Sequence, residues 1–250
     1  MRIIISPAKK MNVDTDSLPV RNLPVFLEQT EELCRELQSK SPEELQKLWK
    51  CNDRITALNV ERLRQMNLRH NLTPAILAYE GIQYQYMAPG VFTHREYDYI
   101  QEHLRIVSGF YGLLRPFDGV TPYRLEMQAK LKLCNANNLY EYWNSSIAEI
   151  LFSESNCILN LASKEYSQCI SGYLKPEIRF ITCVFGEEKE GKIIEKGTMC
   201  KMARGEMVRY MAENQTQNSE EVQRFNRLNY AFDETRSNET TYVFVRQETR

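Results

Sequence analysis

The chain has 250 residues, 42% of them hydrophobic and 26% charged, with a formal net charge of −1. These are the proportions of an ordinary soluble globular protein with enough apolar residues for a real core. The near-neutral total excludes a whole-molecule attraction to nucleic acid, so any basic surface must be gathered locally. No apolar run approaches the roughly 18 residues of a membrane span. Three isoleucines before Ser6-Pro7 are too few for a signal-peptide core, so the expectation is a cytoplasmic protein.

Arg2 to Ser6 reads as a buried, isoleucine-rich strand closed by Pro7, followed by Lys9 and Lys10 in a turn and an extended proline-rich loop to Pro24. Helical spacing of Phe26, Thr30, Leu33 and Leu37 predicts a helix over 25–38. Ser41-Pro42-Glu43-Glu44 opens the next helix with serine at N-cap, proline at N1 and glutamate at N3. Asp53 is expected to cap a third, which carries Ile55, Leu58, Leu63 and Met66. Arg54, Arg62, Arg64 and Arg69 are read as its exposed charges. Ile76 to Tyr79 reads as a strand in preference to a helix turn, and the tyrosine-rich run YEGIQYQYM as buried aromatic packing in preference to a base-stacking surface.

Thr93 and Glu96 have the spacing of a capping box for a helix over about 94–107. Gly109-Phe110-Tyr111-Gly112 then makes a tight turn, and Pro116 stops whatever restarts at Leu113. Further on, strands are expected over 122–127, 157–162 and 177–185, the last pairing with 192–196 through a turn at Glu187–Gly191. Helices are expected over 139–154, from Ser163, over 199–213 and over 219–225, and strands near 230–232 and 242–246. No repeat, linker or composition shift divides the chain, so the expectation is one domain over 1–250, α+β, with a mixed sheet and packed helices.

Seven cysteines, at 34, 51, 134, 157, 169, 183 and 200, form no C-x-x-C pair. They read as reduced, mostly buried thiols. The three histidines, at 70, 94 and 103, lack zinc spacing, and no Walker loop, G-x-G-x-x-G or G-x-S-x-G is present. No metal or cofactor is expected, and an iron-sequestering role has no ligand cluster behind it.

The stretch from His103 to Met127, HLRIVSGFYGLLRPFDGVTPYRLEM, concentrates three glycines, two prolines and three arginines among apolar and aromatic residues. A helix, a G-x-x-G turn and a basic restart resemble a helix-hairpin-helix element over about 94–116. Glycines there would let the backbone approach phosphate and its amides donate to it. The plainer alternative is a helix cap followed by a buried loop. Across its length the chain resembles the YaaA family of peroxide stress proteins. The motifs that carry the likeness are IISPAKKM, AILAYEG, the central stretch, LYEYW, ILNLASKEY and KMARGEMVRYM. The family pattern tends to place glycine before Tyr230, where this chain has Asn229, a residue that tolerates left-handed backbone.

The resemblance implies a positively charged cleft and binding of duplex DNA, bent or irregular duplexes included. On that expectation Lys9, Arg105, Arg115, Arg124, Lys201 and Arg204 supply the basic cleft, and Gly109 and Gly112 the phosphate-contacting turn. Phosphate contacts position a protein without reading sequence, so little base specificity is expected. The rival is an enzyme acting on a nucleotide or base at the carboxyl ends of strands. There Ser6, Asn160, Ser163 and Glu165 would line a pocket, with Glu165 as general base. Ordinary capping of strand ends accounts for the same four residues.

Overall fold

The computed structural model describes residues 1–133 and 135–247. Cys134, one of the seven thiols, lies outside them. In chain order the strands are β1 (Arg2–Ile5), β2 (Lys10–Met11), β3 (Thr73–Pro74), β4 (Tyr79–Glu80), β5 (Leu104–Ser108) and β6 (Gly112–Leu114). They continue with β7 (Gly119–Val120), β8 (Cys157–Leu161), β9 (Arg179–Lys189), β10 (Lys192–Ile194), β11 (Tyr230–Phe232) and β12 (Thr241–Arg246).

Eight of these strands form one mixed sheet in the order β11-β12-β9-β8-β1-β5-β6, with β10 on β9. The five inner strands run parallel, while β6 and β11 close the edges antiparallel. Central β1 explains its own composition. Ile3, Ile4 and Ile5 have no exposed surface, because helices and loops cover both faces of a mostly parallel sheet. The class is α+β, as the sequence predicts.

Several elements follow from local sequence. Ser41 and Glu44 form a reciprocal capping box on the helix Pro42–Trp49, and Thr93 and Glu96 do the same for His94–His103. The turn residue Asn229 does adopt left-handed backbone, with φ 61°. Other elements differ from expectation. Asn52, not Asp53, caps the helix Asp53–Arg64, its side chain accepting from the Ile55 amide. Leu58 faces solvent, and Arg62 donates to the Met11 carbonyl rather than standing free. Ala75–Ala78 is a helical turn, with β4 only beginning at Tyr79. The helix expected over 139–154 is broken at Asn144 (φ 44°, ψ −131°) into Leu139–Trp143 and Ser146–Glu154.

The central stretch differs most. Its helix stops at His103, and Leu104 to Ser108 is strand, because β1 offers a ladder on which Leu104, Arg105 and Ile106 pair with Ile3, Ile4 and Ile5. Residues 109–111 then turn the chain into β6, so a β-hairpin stands where a second helix would be needed. Residues 123–127 do alternate buried and part-exposed side chains, but 122–127 join no ladder. Instead their backbone lies against Gly109, where a Cβ would come within 2.8 Å of the Leu125 carbonyl oxygen.

Candidate functional site

At the carboxyl ends of β1 and β8 the chain leaves the sheet through Ser6-Pro7-Ala8 and Ala162-Ser163. Ser6 Oγ accepts the Ser163 amide at 2.8 Å and lies 3.3 Å from Ser163 Oγ, tying the two exits together. A cavity of about 410 Å³ opens there, walled by Ser6–Lys10, Glu80–Tyr84, Tyr123–Glu126, Ser163, Glu165, Tyr166, Lys201 and Arg204. Tyr84 donates to the Ser6 carbonyl at 3.0 Å. Tyr123 OH is 2.9 Å from Tyr79 OH and 2.7 Å from Ser108 Oγ, which anchors this wall to the central hairpin.

The helix Gly197–Asn214 supplies Lys201 and Arg204, three residues apart and so on one face. Gly205 lets that helix lie directly on Ile82–Met87, since a Cβ there would collide with the Gln83 carbonyl oxygen. Arg204 and Gln83 line the same cavity. Five cationic side chains (Lys9, Lys10, Arg124, Lys201 and Arg204) line the cavity against three carboxylates. Two of those carboxylates are engaged by the cations: Lys9 meets Glu126 at 2.7 Å, Arg124 meets it at 3.5 Å, and Lys10 meets Glu80 at 2.5 Å. The third, Glu165, accepts from the Gln128 amide at 3.2 Å, and burial raises its pKa.

Among the described residues, four buried side-chain N or O atoms lack a hydrogen-bond partner. Three of the four, Gln83 Nε2, Arg124 Nε and Arg204 Nε, belong to residues of this cavity. All three are donors. A buried donor without an acceptor is costly, and such groups are normally satisfied. Three side chains of this wall therefore carry donors that no protein group satisfies.

The structure brings together residues that the sequence assigned to two separate sites. Lys9, Arg124, Lys201 and Arg204 from the basic set join Ser6, Ser163 and Glu165 from the pocket set. Asn160 stands behind them: its Oδ1 accepts the Ala162 amide and its Nδ2 donates to Thr182, so it shapes the exit from β8. Gln83 escaped notice because it is one polar residue in an aromatic run.

The remaining basic-cleft residues are elsewhere. Arg105 is 3% exposed and donates to Glu154 and to the carbonyls of Gln101, Glu102 and Leu104, closing the carboxyl end of the helix His94–His103. Arg115 is half-exposed but also joins Glu154, at the opposite end of the parallel strands from the cavity. Gly109 and Gly112 are interior. The amides of Phe110 and Tyr111 donate to Ser108 Oγ, Gly109 O accepts from the Trp143 indole, and a Cβ on Gly112 (φ 71°) would press on Phe26 and Trp143. The turn needs its glycines for left-handed backbone and close packing, and its amides already have acceptors.

Residues 1–236 match the family described as peroxide stress protein YaaA. The chain belongs to this family. Its relatives include a UPF0246 protein of Lachnoclostridium phytofermentans, 56% identical over 248 residues that cover 99% of this chain and 97% of the relative. Another, from Agathobacter rectalis, is 54% identical over 247 residues covering 99% of both chains, and one from Desulfitobacterium hafniense is 56% identical over 98% of both. The family is named for peroxide stress. No helix among its described residues is long and apolar enough to cross a membrane.

Proposed function

We propose that this YaaA-family protein serves the peroxide stress response by binding DNA, engaging its phosphates through Lys9, Arg124, Lys201 and Arg204 around the cavity. One observation carries the reading: three side chains of the cavity wall, two of them arginines, hold buried donors with no protein acceptor. Guanidinium and ammonium groups are the usual partners of phosphate oxygens, and such contacts carry no base sequence. The interior hairpin and Arg105 take no part, and the expected lack of sequence preference follows from the remaining contacts. Duplex affinity measured across a salt series should fall linearly on logarithmic axes, by about 0.9 per phosphate neutralised. Salt-independent affinity, or no binding at low salt, would overturn the reading.

A second reading, an enzyme acting on a nucleotide or base, is favoured by Glu165, a part-buried carboxyl in the same cavity with its pKa raised by burial. Glu165→Gln separates the two. A general base lost in this way costs about 10²–10⁴ in rate, whereas a binder keeps its affinity or gains slightly as a negative charge disappears.

A further inference from the structure

We infer that the cavity receives a single nucleoside phosphate unit, its phosphate held by Arg124, Lys201 and Arg204 and its base seated among the apolar residues of the wall. This rests on the nucleic-acid reading for its ligand class and goes beyond it, because a surface that only follows duplex phosphates needs no cavity. The volume, about 410 Å³, is within the range of small-molecule sites, roughly 300–1,000 Å³. A lone phosphate would leave most of that space unfilled.

The lining matches the parts of such a unit. Unpartnered donors of Arg124 and Arg204, with the ammonium of Lys201, suit an anionic, oxygen-rich group. Pro7, Ile82 and Leu125 with the tyrosine walls suit a flat, weakly polar base. Gln83 is 7% exposed, and its unpartnered amide N–H suits a ring nitrogen or carbonyl acceptor. Glu165 can accept from an exocyclic amine. No paired helix enters a space of this size. The unit therefore comes either from a free nucleotide or from one nucleotide of DNA drawn out of its stack. Unstacking is least costly at a mismatch.

The test uses the full chain and 2-aminopurine as reporter. The free probe is the 2-aminopurine deoxyriboside 5′-monophosphate, competed with its nucleoside and with inorganic phosphate. The DNA probes are two short duplexes carrying 2-aminopurine, one fully paired and one with that base mismatched. The inference expects the monophosphate to bind at least about tenfold more tightly than either competitor. If DNA is the source, the mismatched duplex binds about tenfold better than the paired one, with a change in 2-aminopurine emission. Gln83→Met and, on the exposed helix face, Lys201→Ala should each weaken monophosphate binding about tenfold while folding normally. Inorganic phosphate competing as well as the nucleotide would overturn the inference. So would equal binding of the two duplexes with unchanged emission and no binding of the free probe. In either of those cases salt-dependent duplex binding would still stand. Free nucleotide binding without duplex binding does the reverse: it upholds the inference and removes the DNA reading.

Discussion

Ser6 Oγ accepts the backbone N–H of Ser163 at 2.8 Å, joining the carboxyl ends of two adjacent parallel strands where the cavity opens. Ser163 precedes the helix Lys164–Ser171 without a side-chain bond to its first turn, while its own amide is held by Ser6. Ser6→Ala leaves the Ser163 amide without its acceptor. It should lower stability by about 1 kcal/mol in denaturant unfolding and weaken ligand binding by more than the unfolded fraction explains. An unchanged midpoint with unchanged binding would show that the tie is incidental.

Two arginines separate scaffold from site. Arg105→Ala strands Glu154 with its weaker partners Arg2 and Arg115, and removes donors to three carbonyls. It should cost roughly 3 kcal/mol of stability while duplex affinity per folded molecule stays unchanged. Arg204→Ala removes a buried donor that has no partner, so stability should hold while affinity drops and the salt slope falls by about one. Gly112→Ala should resemble the first, because the strain and crowding at Gly112 are internal. Chemical denaturation and binding on the same three variants decide the matter.

Asp118 is 3% exposed, and burial raises its carboxyl pKa from its ordinary 3.8 to about 7, although its Oδ2 accepts the Arg115 amide. The folded state thus holds this proton where the unfolded chain has released it. Its stabilising contribution is complete below about pH 3.8 and is lost as pH rises through about 7. Asp118→Asn keeps an acceptor for the amide and carries no charge. It should unfold with a flatter pH dependence between about 4 and 7, and be more stable at pH 8 by on the order of 2 kcal/mol. A steeper profile in the variant would contradict the assignment.

Membership in a peroxide stress family invites a sensing cysteine, and five of the described thiols answer against it. Burial raises the pKa of Cys34, Cys157 and Cys200, and pushes Cys169 and Cys183 to about 12. Reactivity follows the thiolate. These five should therefore resist a disulfide reagent at pH 7.5 in the native protein and react promptly once denatured. Rapid labelling of any one of them in the folded chain, located by peptide mass, would refute this.

Much of the secondary structure was written locally. Capping boxes at Ser41 and Thr93, the all-apolar Ile3–Ile5 and the helix over 197–214 depend on neighbours a few residues away, which a sequence displays directly. Local pattern failed where a distant partner competed for the same residues. Leu104–Ser108 continues a helical spacing, yet the β1 ladder captures it. Residues 123–127 alternate like a strand, yet the backbone of Gly109 takes the place of a neighbour.

The site divides in the same way. By itself the sequence determined the chemistry available: family membership, lysines and arginines in a chain of no net positive charge, and serines at two strand ends. Which arginines are free was decided only by the tertiary structure. Glu154 lies beside Arg2, Arg105 and Arg115 and engages all three. Gly205 lets two helices touch, and Arg204 Nε and Gln83 Nε2 at the cavity wall are left without partners. Charge and residue type are properties of single positions. Desolvation and pairing depend on which positions meet, and those meetings span separations as long as the 157 residues between Ser6 and Ser163.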